Sequence, residues 1–400
     1  MSATIDALAE LAKPEQRQDP YPFLHWLREN DPVHRTNCGF YLLSSYDDVA
    51  YALQRSDAFA VPDEAAMWRE VGSGKRSHPA VKKLVTAFAA KNHPCYARLR
   101  AAIARDMTPA RVLQLRPRIL EHLGNLFDDL GPRLVAGETV DLHAEVSVPL
   151  TQYVFADRVG VPDVDRTWIA DTIALMTRAL ASDDAQLVLA ADRASNAVED
   201  YFHARVAERR AAPRDDLITR LVEAHDGEDE LLIAILWIMW MTGYESTISG
   251  IDRVVQAFLA NPPLRSWCDG DQSQVQRFLD EALRHDGVVL YTPIPRIALS
   301  EVALGGVTIP AGASVRMLIA GANRDPRVFR DPDTFDPTRD PRRMLSTGNC
   351  CGTTLGRAEM AHVVTGLQQR FPTIVAAGEP TWSPASVARR TVETLPARLA

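Results

Sequence analysis

The chain has 400 residues, 46% of them apolar and 24% charged. That is enough apolar matter for a large core, and it excludes a disordered or fibrous chain. Lys and Arg number 44 against 52 Asp and Glu, a net charge of -8, so no basic surplus exists to neutralise phosphates and nucleic acid is not an expected partner. Five cysteines are too few for a disulfide scaffold and fit a reducing compartment.

The first twenty residues, MSATIDALAELAKPEQRQDP, show no basic n-region, apolar core or small-residue cleavage site, so no secretory signal is read. A hairpin is expected next. Pro32-Val33-His34-Arg35 leads through Asn37-Cys38-Gly39 to Phe40-Tyr41-Leu42-Leu43. Most of the chain up to about residue 285 then reads helical. Its Ala-, Leu- and Arg-rich stretches are separated by Thr108-Pro109, Ala211-Ala212-Pro213 and Asn261-Pro262-Pro263. No repeat or low-complexity linker marks a domain boundary.

The longest helix is expected from about Glu228 to Asn261. It contains the longest apolar run, Leu231 to Met241, eleven residues, which is too short to span a bilayer and reads as a core segment. A soluble cytoplasmic protein with no membrane partner is expected. The same helix continues through Thr242-Gly243-Tyr244-Glu245-Ser246-Thr247. An acid and three hydroxyls inside a core helix are a local inconsistency of the kind that function explains.

After residue 285 the texture changes. Val302-Ala303-Leu304, Val307-Thr308-Ile309 and Val315 to Ile319 read as short strands around Gly305-Gly306 and Pro310-Ala311-Gly312. An irregular stretch rich in Asp, Pro and Arg runs from Asn323 to Arg343, and a last long helix begins near Thr353 and ends around Phe371-Pro372.

Glu281-Ala282-Leu283-Arg284 places an acid and a base three apart on a helix, ordinarily a surface pair contributing a few tenths of a kcal/mol. Here it is followed in order by Thr292-Pro293-Ile294-Pro295-Arg296, by Ala322-Asn323-Arg324-Asp325-Pro326 and by Phe335-Asp336-Pro337-Thr338-Arg339. Upstream lie Asn92-His93-Pro94-Cys95-Tyr96-Ala97-Arg98-Leu99-Arg100 and Pro213-Arg214-Asp215-Asp216-Leu217. This ordered string resembles the cytochrome P-450 superfamily, specifically its soluble bacterial members, over roughly residues 15 to 375. The resemblance implies a mainly α, single-domain cytochrome P-450 fold with a small β region, formed by residues 1–400 and holding haem b between two helices.

By that resemblance Glu281, Arg284 and Arg339 form a buried ion pair bracing the haem loop. Cys350-Cys351-Gly352-Thr353-Thr354-Leu355-Gly356-Arg357-Ala358-Glu359 matches the segment after the iron-ligating cysteine. Counting back from Leu355 and Arg357 puts the ligand, the metal-binding residue, at Cys350, with Cys351 one place too late. A thiolate at a helix N-terminus is favoured by the macrodipole and free N–H groups. Tyr96, Arg100 and Arg296 fall at the family's haem-propionate positions, with Tyr96 where His is usual. Glu245 and Ser246 align with its acid–alcohol pair, which implies proton delivery to bound dioxygen. Leu345-Ser346-Thr347-Gly348 starts the haem loop, but only Asn349 separates Gly348 from Cys350. The loop is four residues short of the family pattern, up to about 13 Å of contour, and lacks its usual Phe and basic residue.

The resemblance implies a haem-thiolate monooxygenase. It would hydroxylate, epoxidise or oxidatively couple a small organic, secondary-metabolite substrate, with O2 and electrons from a ferredoxin and its reductase. Charge alone suggests Arg98, Arg105, Arg342 and Arg343 as a ferredoxin patch. The distal pocket, expected around Met67 to Leu84, Leu175 to Leu180 and Val289 to Ile294, should be mostly apolar. A second reading follows from the shortened loop: a haem-free homologue serving as accessory partner of a glycosyltransferase in natural-product biosynthesis.

Overall fold

The computed structural model describes residues 6–71, 76–89, 91, 93–180, 184–225, 227, 229–347, 350–384 and 387–400. The architecture is mainly α with small sheets. By its internal contacts the chain forms two compact units. One comprises Met1–Pro62, Ser249–Cys350 and Val363–Ala400, and the other Asp63–Ile248 with Cys351–His362.

The first unit holds a five-stranded sheet in the order Val33–Arg35, Tyr41–Leu43, Ser314–Met317, Arg296–Ala298, Phe59–Ala60. The expected hairpin is present, with Val33 opposite Leu43 in antiparallel register. Tyr41 then pairs in parallel with Val315, and Val315 pairs antiparallel with Arg296. One face of this sheet buries Val33, Tyr41, Leu43, Phe59, Val315 and Met317 in a shared apolar cluster. The expected strand from Val315 to Ile319 stops at Met317, because Ile319–Ala322 turns into a buried helical turn. Val302–Leu304 and Val307–Ile309 pair as expected across Gly305-Gly306. Strand pairing also occurs in the C-terminal stretch, where Ile374–Ala376 lies antiparallel to Pro396–Leu399. Neither strand carries enough alternation to be read from the sequence.

Helix Gln272–His285 starts at Asp271, whose carboxylate accepts from the Ser273 N–H at 2.8 Å. It buries Val275, Phe278, Leu279 and Ala282.

The second unit is almost wholly helical. The Pro-marked breaks fall where the pattern placed them. Pro109 opens helix Pro109–Val135, where its missing N–H costs nothing, and Ala185–Ala211 ends ahead of Pro213. Asp216 caps helix Leu217–Ala224 by accepting from the Thr219 N–H at 2.9 Å. The same carboxylate accepts from Arg209 Nε, and both are buried. Gly160, at φ +99° beyond helix Val148–Val159, packs against it. A Cβ there would meet Asp216 Oδ2 at 2.4 Å, so both conformation and space demand glycine.

The long helix runs Asp229–Ala260, one residue inside each expected end. By length and composition it could cross a membrane, contrary to the eleven-residue estimate. The reason is that Thr242, Gly243, Ser246 and Thr247 interrupt the apolar run without stopping the helix. In the fold it is a core helix: Leu232, Ile233, Leu236, Trp237, Trp240 and Met241 are buried.

Two carboxylates in the first unit, the half-buried Asp286 and the buried Asp325, hold distant segments together. Asp286 accepts from Tyr21 Oη at 2.9 Å and pairs with Arg253 and Arg390. Both guanidinium groups stack on the Trp382 ring, 4.2 Å from its centroid. Asp325 accepts from the Tyr46 N–H at 3.0 Å and from Arg327 Nη2 at 2.6 Å. Burial works to raise the Asp325 pKa, but the Arg327 and backbone donors outweigh it and hold it at about 2. This lies below the unfolded value of about 3.9, so Asp325 stabilises the fold fully above about pH 4 and that contribution fades as pH falls through about 2. Asp325→Asn should therefore lower stability by roughly 2 kcal/mol at pH 7. Urea midpoints should converge on wild type between pH 4 and 2; a gap unchanged at pH 2.5 would show that ionisation is not the source.

Candidate functional site

In the first unit, Glu281 and Arg284 are each 3% exposed, which overturns the surface-pair alternative. Arg284 donates from Nε to Oε2 and from Nη2 to Oε1 of Glu281, both at 2.7 Å. This is the bidentate geometry that favours Arg over Lys. Arg339 Nε donates to Oε1 at 3.3 Å, and the Asp336 N–H donates to the same oxygen at 2.8 Å. The expected triad is formed.

Its reach goes further than the sequence suggested. Arg284 Nη1 donates to the Asn323 carbonyl at 2.9 Å. The Asn323 side chain then clamps the backbone of Leu345: Nδ2 donates to the Leu345 carbonyl at 2.9 Å, and Oδ1 accepts from the Leu345 N–H at 2.8 Å. Leu345 begins the cysteine loop, so the ion pair is tied to the loop through one buried amide. Asn323 was quoted in the sequence string without a role. Its signal is its place between Ala322 and Arg324, but the partner lies 22 residues away.

Arg296 opens the strand Arg296–Ala298 in a half-buried position. Burial lowers its pKa, and no acidic or hydrogen-bonding partner faces it among the described residues. Cys350 is exposed and Cys351 half-buried, and helix Thr353–Arg370 follows. Gly348 and Asn349, on which the loop's shortening was read, lie outside the described residues, as does Asn92.

In the second unit, Tyr96 starts helix Tyr96–Asp106 and Arg100 lies one turn on, both half-buried. Arg98 and Arg105 of the same helix are exposed. Arg105 lines a cavity of about 320 Å3 with Arg111, Arg220, Asp106 and Glu223.

The acid–alcohol segment sits mid-helix with its hydroxyls satisfied internally. Ser246 Oγ donates to the Thr242 carbonyl at 2.6 Å, Thr242 Oγ1 to Ile238 O at 2.7 Å, and Thr247 Oγ1 to Gly243 O at 2.8 Å. Such i−4 bonding lets hydroxyls sit in a core helix and loads the same carbonyls twice. Glu245 and Ser246 are half-buried. Gly243 has a packing reason: a Cβ there would lie 2.9 Å from Phe155 Cε2. Phe155 itself stacks edge-on against Trp240 at 5.0 Å. Thr247 Oγ1 faces Gly356 of the helix after the cysteines, 3.2 Å from where a Cβ would be. On that helix Glu359 is 1% exposed. Burial pushes its carboxyl well above the usual range, opposed by the Thr151 hydroxyl. Glu359 was matched in the sequence but given no role.

The second unit presents a cavity of its own. A cavity of about 660 Å3 is lined by residues 76–79, 82, 83 and 86, with Asn196, Glu199, Glu230, Ile233, Ala234 and Trp237. It uses part of the expected 67–84 segment, but its rim is charged. Helix Pro79–Ala89 turns Lys82, Lys83 and Thr86 toward it, while the apolar Val81, Leu84 and Val85 are buried. None of residues 175–180 lines it, and the Leu180 side chain is not among those described.

Comparison with known proteins adds a further line. A family model described as Cytochrome P450 matches residues 273–387. Cytochrome P450 BJ-3 of Bradyrhizobium diazoefficiens is 41% identical over 420 residues, spanning 100% of this chain and 97% of that protein. Nocardicin C N-oxygenase of Nocardia uniformis subsp. tsuyamanensis is 30% identical over 388 residues, 94% of each. Among solved structures, cytochrome P450 CYP109Q5 from Chondromyces apiculatus matches with a TM-score of 0.80 at 28% identity, covering 98% of this chain and 97% of that one.

Glu281→Ala should lower stability by about 3–5 kcal/mol, since it strands two guanidinium groups. Asn323→Ala should leave the triad intact yet free Leu345. Urea denaturation with limited proteolysis checks both: cleavage near Leu345 in Asn323→Ala with a near-native midpoint is expected, and no change in cleavage would refute the clamp.

Proposed function

The chain belongs to the cytochrome P450 family, whose members are haem b monooxygenases, and from that premise we propose that it oxidises a small organic substrate with electrons supplied by a ferredoxin. Bound haem supplies the activation of dioxygen. The protein's part is to hold the cofactor, admit protons and exclude water from the rest of the core.

Arg296 carries this reading. A half-buried guanidinium without an acidic partner is costly, and a haem propionate is the anion that would meet it bidentately. A haem-free binding protein would have no use for that arrangement. Arg100 and Tyr96 are proposed as the other propionate contacts, Tyr96 as an uncharged hydroxyl donor. Cys350 is proposed as the thiolate ligand, three residues before the helix that begins at Thr353, where the helix dipole favours an anion. Glu245 is proposed to exchange protons with solvent and Ser246 to pass them on. The Ser246 hydroxyl has one proton, now donated to the Thr242 carbonyl. Rotating it toward the site would release an oxygen able to accept from water. The relative named as an N-oxygenase supports oxygen insertion as the reaction class. A bacterial secondary metabolite is the proposed substrate, and a soluble cytoplasmic location suits ferredoxin supply.

An absorption spectrum of the reduced, carbon monoxide-treated protein tests the ligand. The long-wavelength Soret band of thiolate ligation is expected in wild type and Cys351→Ala and should vanish in Cys350→Ala. No Soret band after expression with ample haem precursor would overturn the oxygenase in favour of the haem-free accessory partner of a glycosyltransferase.

In turnover with ferredoxin and its reductase, Ser246→Ala should lower product formed per electron severalfold and raise peroxide release. Unchanged coupling would refute the relay, and full turnover with ferredoxin omitted would refute the electron source.

A further inference from the structure

Three arginines from three helices line the cavity of about 320 Å3 in the second unit. Arg105 comes from helix Tyr96–Asp106, Arg111 from Pro109–Val135 and Arg220 from Leu217–Ala224. Two of the three are held in place. Arg220 Nε pairs with Asp106 Oδ1 at 2.7 Å, its Nη2 pairs with Asp215, and its Nη1 donates to the Asp216 carbonyl at 2.5 Å. Arg111 Nη1 donates to Gln114 Oε1 at 3.2 Å and lies 3.8 Å from Asp215 Oδ1. Arg105 differs. Its backbone carbonyl accepts from the Thr108 hydroxyl, but among the described residues its guanidinium has no partner.

The acids around the cavity do not balance these arginines. Asp106 is shared between Arg220 and the buried Arg158, and Asp215 between Arg220 and Arg111. Asp216 is taken by Arg209. Burial lowers the Arg158 pKa to about 10, and the Arg220 charge beside it adds to the fall. Glu223, also on the lining, is exposed and pairs with none of the lining arginines among the described residues. Arg105, Arg111, Arg158 and Arg220 thus face Asp106, Asp215 and Glu223, which leaves one positive charge in excess.

Arg105 and Glu223 are opposite charges on one cavity that do not pair with each other. A ligand that meets both brings anionic oxygens to the guanidinium groups and a hydrogen-bond donor to the carboxylate. Guanidinium forks match phosphate oxygens. Sulfate and a bare carboxylate carry no O–H at neutral pH, so Glu223 opposes them. A carboxylate side chain of an acidic ferredoxin is disfavoured at Arg105 for the same reason. Hydrogen phosphate and a phosphate monoester of a polyol both carry an O–H. Arg111 and Arg220, already fixed, lose little freedom on binding. The volume lies at the lower end for small-molecule sites. We infer that this cavity binds a phosphate that carries an O–H, with Arg105 and Arg111 on its anionic oxygens and Glu223 accepting from its O–H. The site goes beyond the oxygenase reading and does not rest on it.

The test is calorimetric titration of the purified full chain with inorganic phosphate, glycerol 3-phosphate, sulfate and acetate. Phosphate should bind more tightly than sulfate or acetate. Arg105→Gln should weaken phosphate roughly tenfold, and Glu223→Gln should bring sulfate to the affinity of phosphate. Both positions are exposed, so both variants should melt with wild type; Arg111→Gln is the second probe if Arg105→Gln fails to fold. Tighter binding of glycerol 3-phosphate than of inorganic phosphate supports the site with a monoester as its ligand, and equal or weaker binding supports it with the free ion. No binding of phosphate to wild type, unchanged affinity in Arg105→Gln, or a preference over sulfate that survives Glu223→Gln would overturn the inference. Acetate binding as tightly as phosphate would also overturn it, and would give the cavity to a carboxylate such as a ferredoxin side chain.

Discussion

A single buried carboxylate, that of Glu281, organises the part of the first unit that carries the cysteine. Its two oxygens receive four donors: two from Arg284, one from Arg339 and the N–H of Asp336. Two arginines on one acid leave an excess positive charge, and backbone carbonyls absorb it. Arg284 also donates to Asn323, Pro332 and Thr334, and Arg339 to Arg330, Asp331 and Thr334. The carbonyls face inward because the 330–336 segment coils tightly, with Asp331 at φ +46°. That conformation is uncommon for a residue other than glycine, and Arg339 is what holds it. The irregular, Asp-, Pro- and Arg-rich texture of residues 323–343 is thus the sequence form of a charge-neutralising cage.

The second unit solves the opposite problem, polar groups inside an apolar helix. Thr242, Ser246 and Thr247 spend their hydroxyl protons on carbonyls one turn back, so the helix runs through them unbroken. Burial at Glu359 disfavours its ionised form and raises its pKa, opposed by the Thr151 hydroxyl. Both units also bury charge pairs, Glu281 with Arg284 in the first and Asp216 with Arg209 in the second; the self-satisfied hydroxyls belong to the long helix.

Much of this was legible in the sequence, and the reason differs by feature. The hairpin, the Pro-delimited helices and the long central helix follow from local propensity and period. The Glu281–Arg284–Arg339 triad was legible only because its residues recur in a known order. What could not be read are contacts between distant segments. Asn323 on Leu345, Asp325 on Tyr46, and Arg253 and Arg390 on Trp382 leave no local trace. Which face of a helix meets the core is likewise set by its neighbours. The apolar residues of Pro79–Ala89 are conspicuous in the sequence, but they are the ones turned into the core.

The pairing habits of this chain give Arg296 its weight. Deeply placed arginines are met by acids nearly everywhere: Arg284 by Glu281, Arg209 by Asp216, Arg158 by Asp106, Arg390 by Asp286. Where no acid is near, as at Arg265, backbone carbonyls take its place. Arg296 has neither among the described residues. The loop compounds the point. Seven residues separate Leu345 from Thr353, and a tether that short has little slack to absorb error at its ends. Asn323 pins Leu345 at one end of that stretch, with the Glu281 carboxylate behind it through Arg284.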